Sequence, residues 1–245
     1  MGLNFEEPKM PQILELSLGL ISQTYSLRCD AKQGQKRFLD FDNYIQTIPS
    51  FELGDYFPTP FIKGIQPNYI EEVDVIGIPV INTLAIQNLK ININDCRFIP
   101  EEDYASLDVE RKCKRNDILL TVDGGTSIGK AVLFDLEGDY TIDSHVTILR
   151  PNGISPLVIV YLLASPIGQL QFLRAESGAS GQTSVTEDDI RRFKFPLKNK
   201  VFLESEVHKI DKTRKQIEIK KRKLNENLKE SWLNFSNNLL SKKNN

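Results

Sequence analysis

The stretch Gly124-Gly-Thr-Ser-Ile-Gly129-Lys130-Ala131 comes nearest to a chemical signature in this sequence. Its GxxxxGK spacing is that of a loop whose amides cradle phosphates, and it follows an apolar run from Asp117 to Asp123. Such a loop needs two further parts: a Ser or Thr after the lysine to hold Mg²⁺, and a helix whose N-terminal amides face the phosphate. Here Ala131 follows, and Ala-Val-Leu-Phe-Asp reads as a strand. The spacing therefore describes a glycine-rich hairpin whose backbone can approach a ligand closely. Other reactive constellations are thin. His145 lies in a strand pattern and His208 in a helical one, which leaves few partners for a Ser-His-Asp or Cys-His arrangement. Glu187-Asp-Asp189 opens a short helix, where acids complement the dipole. No carboxylate pair has the apolar setting that would make one of them a general acid. Cys29, Cys96 and Cys113 show neither CxxC nor metal-ligand spacing and read as reduced thiols of a cytoplasmic protein. A nucleic-acid methyltransferase would carry a glycine-rich cofactor loop and an Asn/Asp-Pro-Pro-aromatic motif, and neither occurs. The chain reads as a binder and not an enzyme, with no catalytic residue, no metal and no cofactor expected.

Composition agrees with an ordinary globular protein. The 245 residues are 40% hydrophobic and 26% charged with a net charge of −2, which excludes disordered, collagen-like and disulfide-scaffold classes. The longest apolar run, Leu157 to Ala164, is far shorter than the ~20 residues of a membrane-spanning helix, so no membrane association is expected. The acidic start Met1-Gly-Leu-Asn-Phe-Glu-Glu-Pro lacks the basic n-region of a secretory signal, so export is not expected. The charge is uneven: residues 1–110 sum to −9, residues 111–197 to 0 and residues 198–245 to +7. A basic tail on an acidic body suits an anionic partner, although a solvated lysine-rich helix has the same composition.

The elements that must position these residues follow from periodicity. The first fifty residues show no clear period beyond a possible helical turn over Gln12–Leu20. From Phe51 the texture is one of short strands between Gly, Pro, Asn and Asp: Ile76–Asn82, Asp117–Asp123, Lys130–Asp135 and Ser144–Arg150. Ser155-Pro156 and Ser165-Pro166 each place a hydroxyl before a proline at the first helical position, predicting helices over 156–164 and 166–175. Glu176–Thr183 is a loop by composition, and Thr186 caps a further short helix. Leu203, Val207, Ile210, Arg214, Ile217, Lys221, Leu224, Leu228, Ser231 and Phe235 alternate by four and three, a heptad seam. No Gly or Pro interrupts residues 197–245, so one helix over 203–240 would reach ~55 Å. A narrow stripe on so long a helix calls for another helix.

Seven segments in order carry a resemblance to a known family. They are Phe51-Glu-Leu-Gly54-Asp; Ile78-Pro-Val-Ile81 with Ala85-Ile-Gln-Asn-Leu89; Ile99-Pro-Glu-Glu-Asp-Tyr104; Asn116 to Ala131; Tyr161-Leu-Leu-Ala-Ser-Pro166; Gly181-Gln-Thr-Ser-Val185 with Asp189-Ile190; and Phe195-Pro-Leu197. This order resembles the target-recognition domain and following helix of type I restriction-modification specificity (S) subunits, over about residues 50–230. The resemblance implies an α+β fold: a curled mixed β-sheet recognition domain with short helices, followed by one long C-terminal coiled-coil helix. The corresponding boundaries are an N-terminal extension over 1–48, a DNA-binding domain over 49–197 and a spacer helix over 198–245.

The resemblance also implies a non-catalytic protein that recognises a sequence in double-stranded DNA and directs methyltransferase (M) subunits, and possibly restriction (R) subunits, to it. Its base-facing residues would be Asn82, Thr83 and Asn88; Gly125, Thr126, Ser127 and Lys130; and Ser180, Gln182 and Thr183. Phosphate contacts would come from Lys112, Lys114, Arg115, Arg174, Arg191 and Arg192. Typical members carry two recognition domains and two helices, whereas each motif occurs once here, as in a half-length form. Two such chains would form a homodimer with antiparallel helices joined through Leu203, Val207, Ile210, Ile217, Leu224, Leu228 and Phe235, and would read a bipartite site. The alternative is an interaction or inhibitor protein of the same fold that captures restriction-complex subunits through its helix without reading DNA.

Overall fold

The computed structural model describes residues 32–71, 77–87, 89–179 and 182–240; the Gln12–Leu20 turn, Cys29, Asn88 and Ser180 lie outside them. By contacts the chain divides into two units, Met1–Lys198 and Asn199–Asn245. The first is mixed α and β, and the second is helical.

In chain order the first unit runs α1 (Lys36–Gln46), β1 (Ser50–Glu52), β2 (Ile62–Lys63), β3 (Ile78–Ile81), β4 (Ile86–Gln87), β5 (Lys90–Ile91), β6 (Arg97–Ile99) and α2 (Glu101–Ser106). It continues with β7 (Ile118–Thr121), β8 (Ala131–Leu133), β9 (Thr141–Ile142), β10 (Val146–Leu149), α3 (Pro156–Ala164), α4 (Pro166–Ala175), β11 (Ser177–Ala179), β12 (Gln182–Ser184), α5 (Glu187–Arg191) and β13 (Lys194–Pro196). Helix α6 (Lys200–Leu240) forms the second unit.

The main sheet has the order β2-β10-β7-β8, all antiparallel. A second sheet, β6-β3-β9, joins an antiparallel pair to a parallel one. The two sheets curl into each other: Asp143, in the turn between β9 and β10, donates its amide to the Ile81 carbonyl at 3.2 Å, and the Ile65 amide reaches Ile142 at 3.2 Å. The apolar run Ile118-Leu-Leu has no polar face because both faces are buried. Ile118 and Leu120 pack with Leu149, Ile159, Leu163 and Phe172 on the side of α3 and α4. Leu119 turns the other way and packs with Val132, Ile142 and Ile148. Strand periodicity of two thus feeds two cores from one strand.

Helices α3 and α4 have the predicted boundaries. Ser165 caps α4 by accepting from the Gly168 amide at 3.2 Å, whereas the Ser155 hydroxyl makes no capping bond, so Pro156 alone marks the start of α3. Thr186 and Asp189 form a reciprocal capping box on α5. Helix α1 is not anticipated from periodicity. Phe38, Phe41 and Ile45 recur at helical spacing and are buried against Leu170, a signal diluted by the polar residues between them. Residues of the N-terminal stretch are thereby tied to α4. Among the described residues no single helix is long and apolar enough to cross a membrane.

Candidate nucleic-acid interface

The C-terminal end of β7 gathers the loops that the sequence singled out. The Val122 amide donates to the His145 carbonyl at 3.0 Å, which sets the turn Asp143-Ser-His145 beside the β7–β8 loop. On the other side, the Gly124 amide donates to the Thr183 carbonyl at 3.2 Å and Val185 donates to the Val122 carbonyl at 3.0 Å, bringing the β11–β12 hairpin alongside. The Asp143 amide bonded to Ile81 connects the loop that begins at Asn82. The loops at 82–85, 143–145, 123–130 and 182–184 therefore form one rim at one end of the sheet.

Within that rim, Gly125–Ser127 form a single 3₁₀ turn, and Gly124, Gly125 and Gly129 have φ of +101°, +52° and +82°. After Lys130 the chain runs on as β8, so the loop does not lead into a helix. The turn is tied down from within: the Thr121 hydroxyl donates to the Ser127 carbonyl and accepts from the Lys130 amide at 3.0 Å, and the Gln169 amide holds the Gly129 carbonyl at 2.9 Å. Thr126 is exposed, and the Lys130 ammonium lies 3.3 Å from the Ser127 hydroxyl. Gly129 is indispensable for space as well as for φ, since a Cβ there would meet the Phe172 ring at 2.8 Å, whereas one at Gly125 would meet nothing within 4 Å. Gly129→Ala is expected to destabilise the chain by about 3 kcal/mol and Gly125→Ala by only about 1 kcal/mol. Thermal unfolding of the two variants measures the difference, and equal losses would refute this account of the loop.

The other expected base-facing residues divide by burial. Asn82 is buried, and its amide is committed to its own loop: Oδ1 accepts from the Leu84 and Ala85 amides at 2.8 and 3.0 Å, and Nδ2 donates to the Asp95 carbonyl at 3.0 Å. It shapes the rim instead of facing outward. Thr83 is half-buried in the same turn, and the Thr183 hydroxyl donates to Glu176 Oε1 at 2.5 Å. Gln182 pairs with Ala179 across the β11–β12 hairpin. The structure adds exposed residues that sequence reading passed over. His145 stands in a turn and not in a strand, with Nδ1 3.9 Å from Asp123 Oδ2. Exposed Gln66 accepts from the Ser144 hydroxyl at 2.8 Å. Asp143 is buried beneath this turn, and desolvation pushes its carboxyl above the ordinary aspartate range even though it accepts the His145 amide at 3.0 Å. The signal for this group was the Asp-Ser-His triplet between two apolar runs, a turn composition.

The expected phosphate contacts are scattered. The Arg174 guanidinium is bidentate to Asp42 at 2.7 and 2.8 Å and bonds Gln33, pinning α1 to α4 inside the domain. Arg191 bonds Glu187 at 2.7 Å and the carbonyls of Phe57 and Thr59 at 2.7 and 2.6 Å. Lys112 lies over the Tyr104 ring at 4.6 Å, and Lys114 faces Glu110 at 3.7 Å. Lys112, Lys114 and exposed Arg115 enter β7 at its N-terminal end, about 13 Å of strand away from the rim. Arg192 is exposed.

Asn199 precedes helix α6 and its side chain accepts from the Val201 amide at 2.8 Å; the 41 residues of the helix reach about 60 Å. Along the expected seam Val207 is buried and Leu203 half-buried, while Ile210, Ile217, Leu224, Leu228 and Phe235 are exposed by 47–68%. At Ser231 the hydroxyl folds back on the Asn227 carbonyl. A second apolar series steps from Leu228 to Trp232, Phe235 and Leu239, and Trp232 and Phe235 meet edge to face at 5.9 Å. Two successive steps of four, 224 to 228 to 232, form a stutter that locally unwinds a supercoil.

An α+β unit of several small sheets with polar loops gathered at one end of the main one, followed by a long helix with an exposed apolar stripe, is the architecture these residues define. No family model matches the chain, and no curated protein does. Solved structures match it in fold. A chain from a structure described as "Structural basis underlying complex assembly and conformational transition of the type I R-M system" is 18% identical, with a TM-score of 0.51 over 86% of this chain and 52% of that one. The type I restriction-modification S subunit of M. genitalium is 14% identical over 69% of this chain and 40% of its own (TM-score 0.49). The HsdS subunit of Thermoanaerobacter tengcongensis is 18% identical over 75% and 45% (TM-score 0.48). The chain spans about half the length of these solved chains. The likeness is one of fold.

Proposed function

We propose that the chain recognises a DNA sequence as a specificity subunit of a type I restriction-modification system and brings methyltransferase subunits, and with them restriction subunits, to that sequence. The observation that carries this reading is the convergence of four polar loops on one end of the sheet. Short polar side chains on a rigid rim suit base edges, which present fixed patterns of donors and acceptors, while cations set the register on phosphates. Thr126, Ser127 and Thr183 supply hydroxyls, Gln182 an amide, Asp123 an acceptor for a cytosine amino group, and Lys130 the cation at the rim. Asn82 and Gly125 act through the shape of their loops. Exposed Arg115 and Arg192 supply cations for phosphate contacts. The exposed stripe of α6 supports pairing with the same helix of a second copy, antiparallel, which would set two rims on a symmetric bipartite site in a cytoplasmic complex.

Selection of random duplexes by the full chain with its methyltransferase subunit tests this. A two-part symmetric sequence should be enriched. Lys130→Gln should weaken the selected duplex about tenfold and lower the slope of log K against log salt by about one. Recovery of no sequence, with complex assembly untouched by Lys130→Gln and Thr183→Ala, would support a protein that binds restriction subunits without reading DNA.

A further inference from the structure

The loop after β3 holds one apolar side chain out in solvent by unusually firm means. Leu84 is 66% exposed, more than any other large apolar residue described before α6. A single exposed leucine is ordinary on a protein surface. Here, however, polar side chains clamp the backbone on both sides of it. Asn82 Oδ1 accepts the Leu84 amide at 2.8 Å, and Gln87 Nε2 donates to the Leu84 carbonyl at 2.8 Å. Asp95 ties the clamps together, its carboxylate accepting from Gln87 at 2.7 Å and its carbonyl from Asn82 Nδ2 at 3.0 Å. Ala85 and Ile86 follow immediately and are fully buried, so the chain cannot roll Leu84 inward without withdrawing them from the core. The β4–β5 turn beyond is closed by Leu89 at φ +59°, a conformation that non-glycine residues adopt only where their surroundings enforce it. The loop springs from Ile81, whose carbonyl is bonded to Asp143 in the rim.

We propose that Leu84 is an apolar base contact of this protein, a specificity-determining residue that packs on a thymine methyl group or wedges into a base step. This rests on the DNA-recognition reading above. Polar groups on the rim cannot distinguish a thymine by its methyl, whereas a rigidly presented leucine can, and apolar wedges in recognition proteins are of this type. Rigidity matters because a mobile leucine would lose to ordering most of what the contact gains.

The test selects random duplexes with the wild-type full chain, Leu84→Ala and Leu84→Met, each with the methyltransferase subunit, alongside thermal unfolding. Leu84→Ala should melt with the wild type, keep most of the selected sequence, lose preference at one position, and bind the wild-type duplex about tenfold more weakly; Leu84→Met should restore the preference. Uracil in place of thymine at that position weakening the wild type identifies a methyl contact, and a rise in 2-aminopurine fluorescence there on binding identifies a wedge. An Ala variant with the wild-type selected sequence and affinity overturns the inference alone. A wild type that selects no sequence overturns the DNA-recognition reading, and this inference with it.

Discussion

Replacing Leu224 and Leu228 together by lysine should leave a folded chain that is monomeric in light scattering and no longer selects a two-part duplex. Both leucines stand on the exposed stripe of α6, 68% and 55% accessible. Two-fold pairing uses each position twice, so the double variant removes four leucines from one interface. At about 2 kcal/mol for each buried leucine this approaches 8 kcal/mol, or roughly six decades in dimer affinity. The lysines also set four like charges where the stripe would be buried, against a helix already rich in basic residues. Ile219→Lys is the control: Ile219 is 58% exposed but lies off the stripe, so its loss should leave association unchanged. A double variant that still dimerises, or an Ile219→Lys that does not, would move the interface elsewhere.

A stability loss as large as that of Gly129→Ala is expected at the opposite end of β7. Asp117 is buried to 4% side-chain exposure and accepts Arg150 Nε at 2.7 Å and Nη2 at 2.9 Å, together with the Lys114 amide at 2.8 Å. Arg150 also bonds the Glu110 carboxylate and carbonyl, so β10 and the chain before β7 are joined through one guanidinium. The Asp117 hydrogen bond is the chief reason Arg150 holds its proton even more firmly than a free arginine. Asp117→Ala leaves that cation largely buried without its main partner and a backbone amide without an acceptor, which should cost about 3 kcal/mol and lower Tm by roughly 10 °C. Asp117→Asn keeps an acceptor oxygen for the same space and should lose about half as much. Equal losses would mean that packing, not charge, makes the site.

What local chemistry governs could be read from the chain. The boundaries of α3 and α4 follow from Ser-Pro dipeptides at their starts, and β8 follows from a short apolar run, Ala131 to Phe134, bounded by the glycine loop and Asp135. The length of α6 follows from an uninterrupted stretch without Gly or Pro. Toward the end of its stripe a strict heptad places Ser231 where two steps of four place Trp232. Helix α1 escaped for a different reason: its apolar residues acquire meaning only against Leu170, more than a hundred positions away.

The site shows the same division. Residue types and loop composition in the sequence determined which segments would be polar, glycine-rich and close to one another along the chain. Which side chains face outward was decided by partners brought from afar. Arg174 and Asp42 are 132 positions apart, and Arg191 and the Phe57 carbonyl 134, yet these bonds make both arginines struts of the fold. Conversely, Gln66, His145 and Asp123 become one edge only because β2, β10 and β7 pair in register. A charged side chain carries the same pattern in a sequence whether it will meet a phosphate or a buried carboxylate. The choice between them is made by desolvation and geometry, which exist only once the chain has closed on itself.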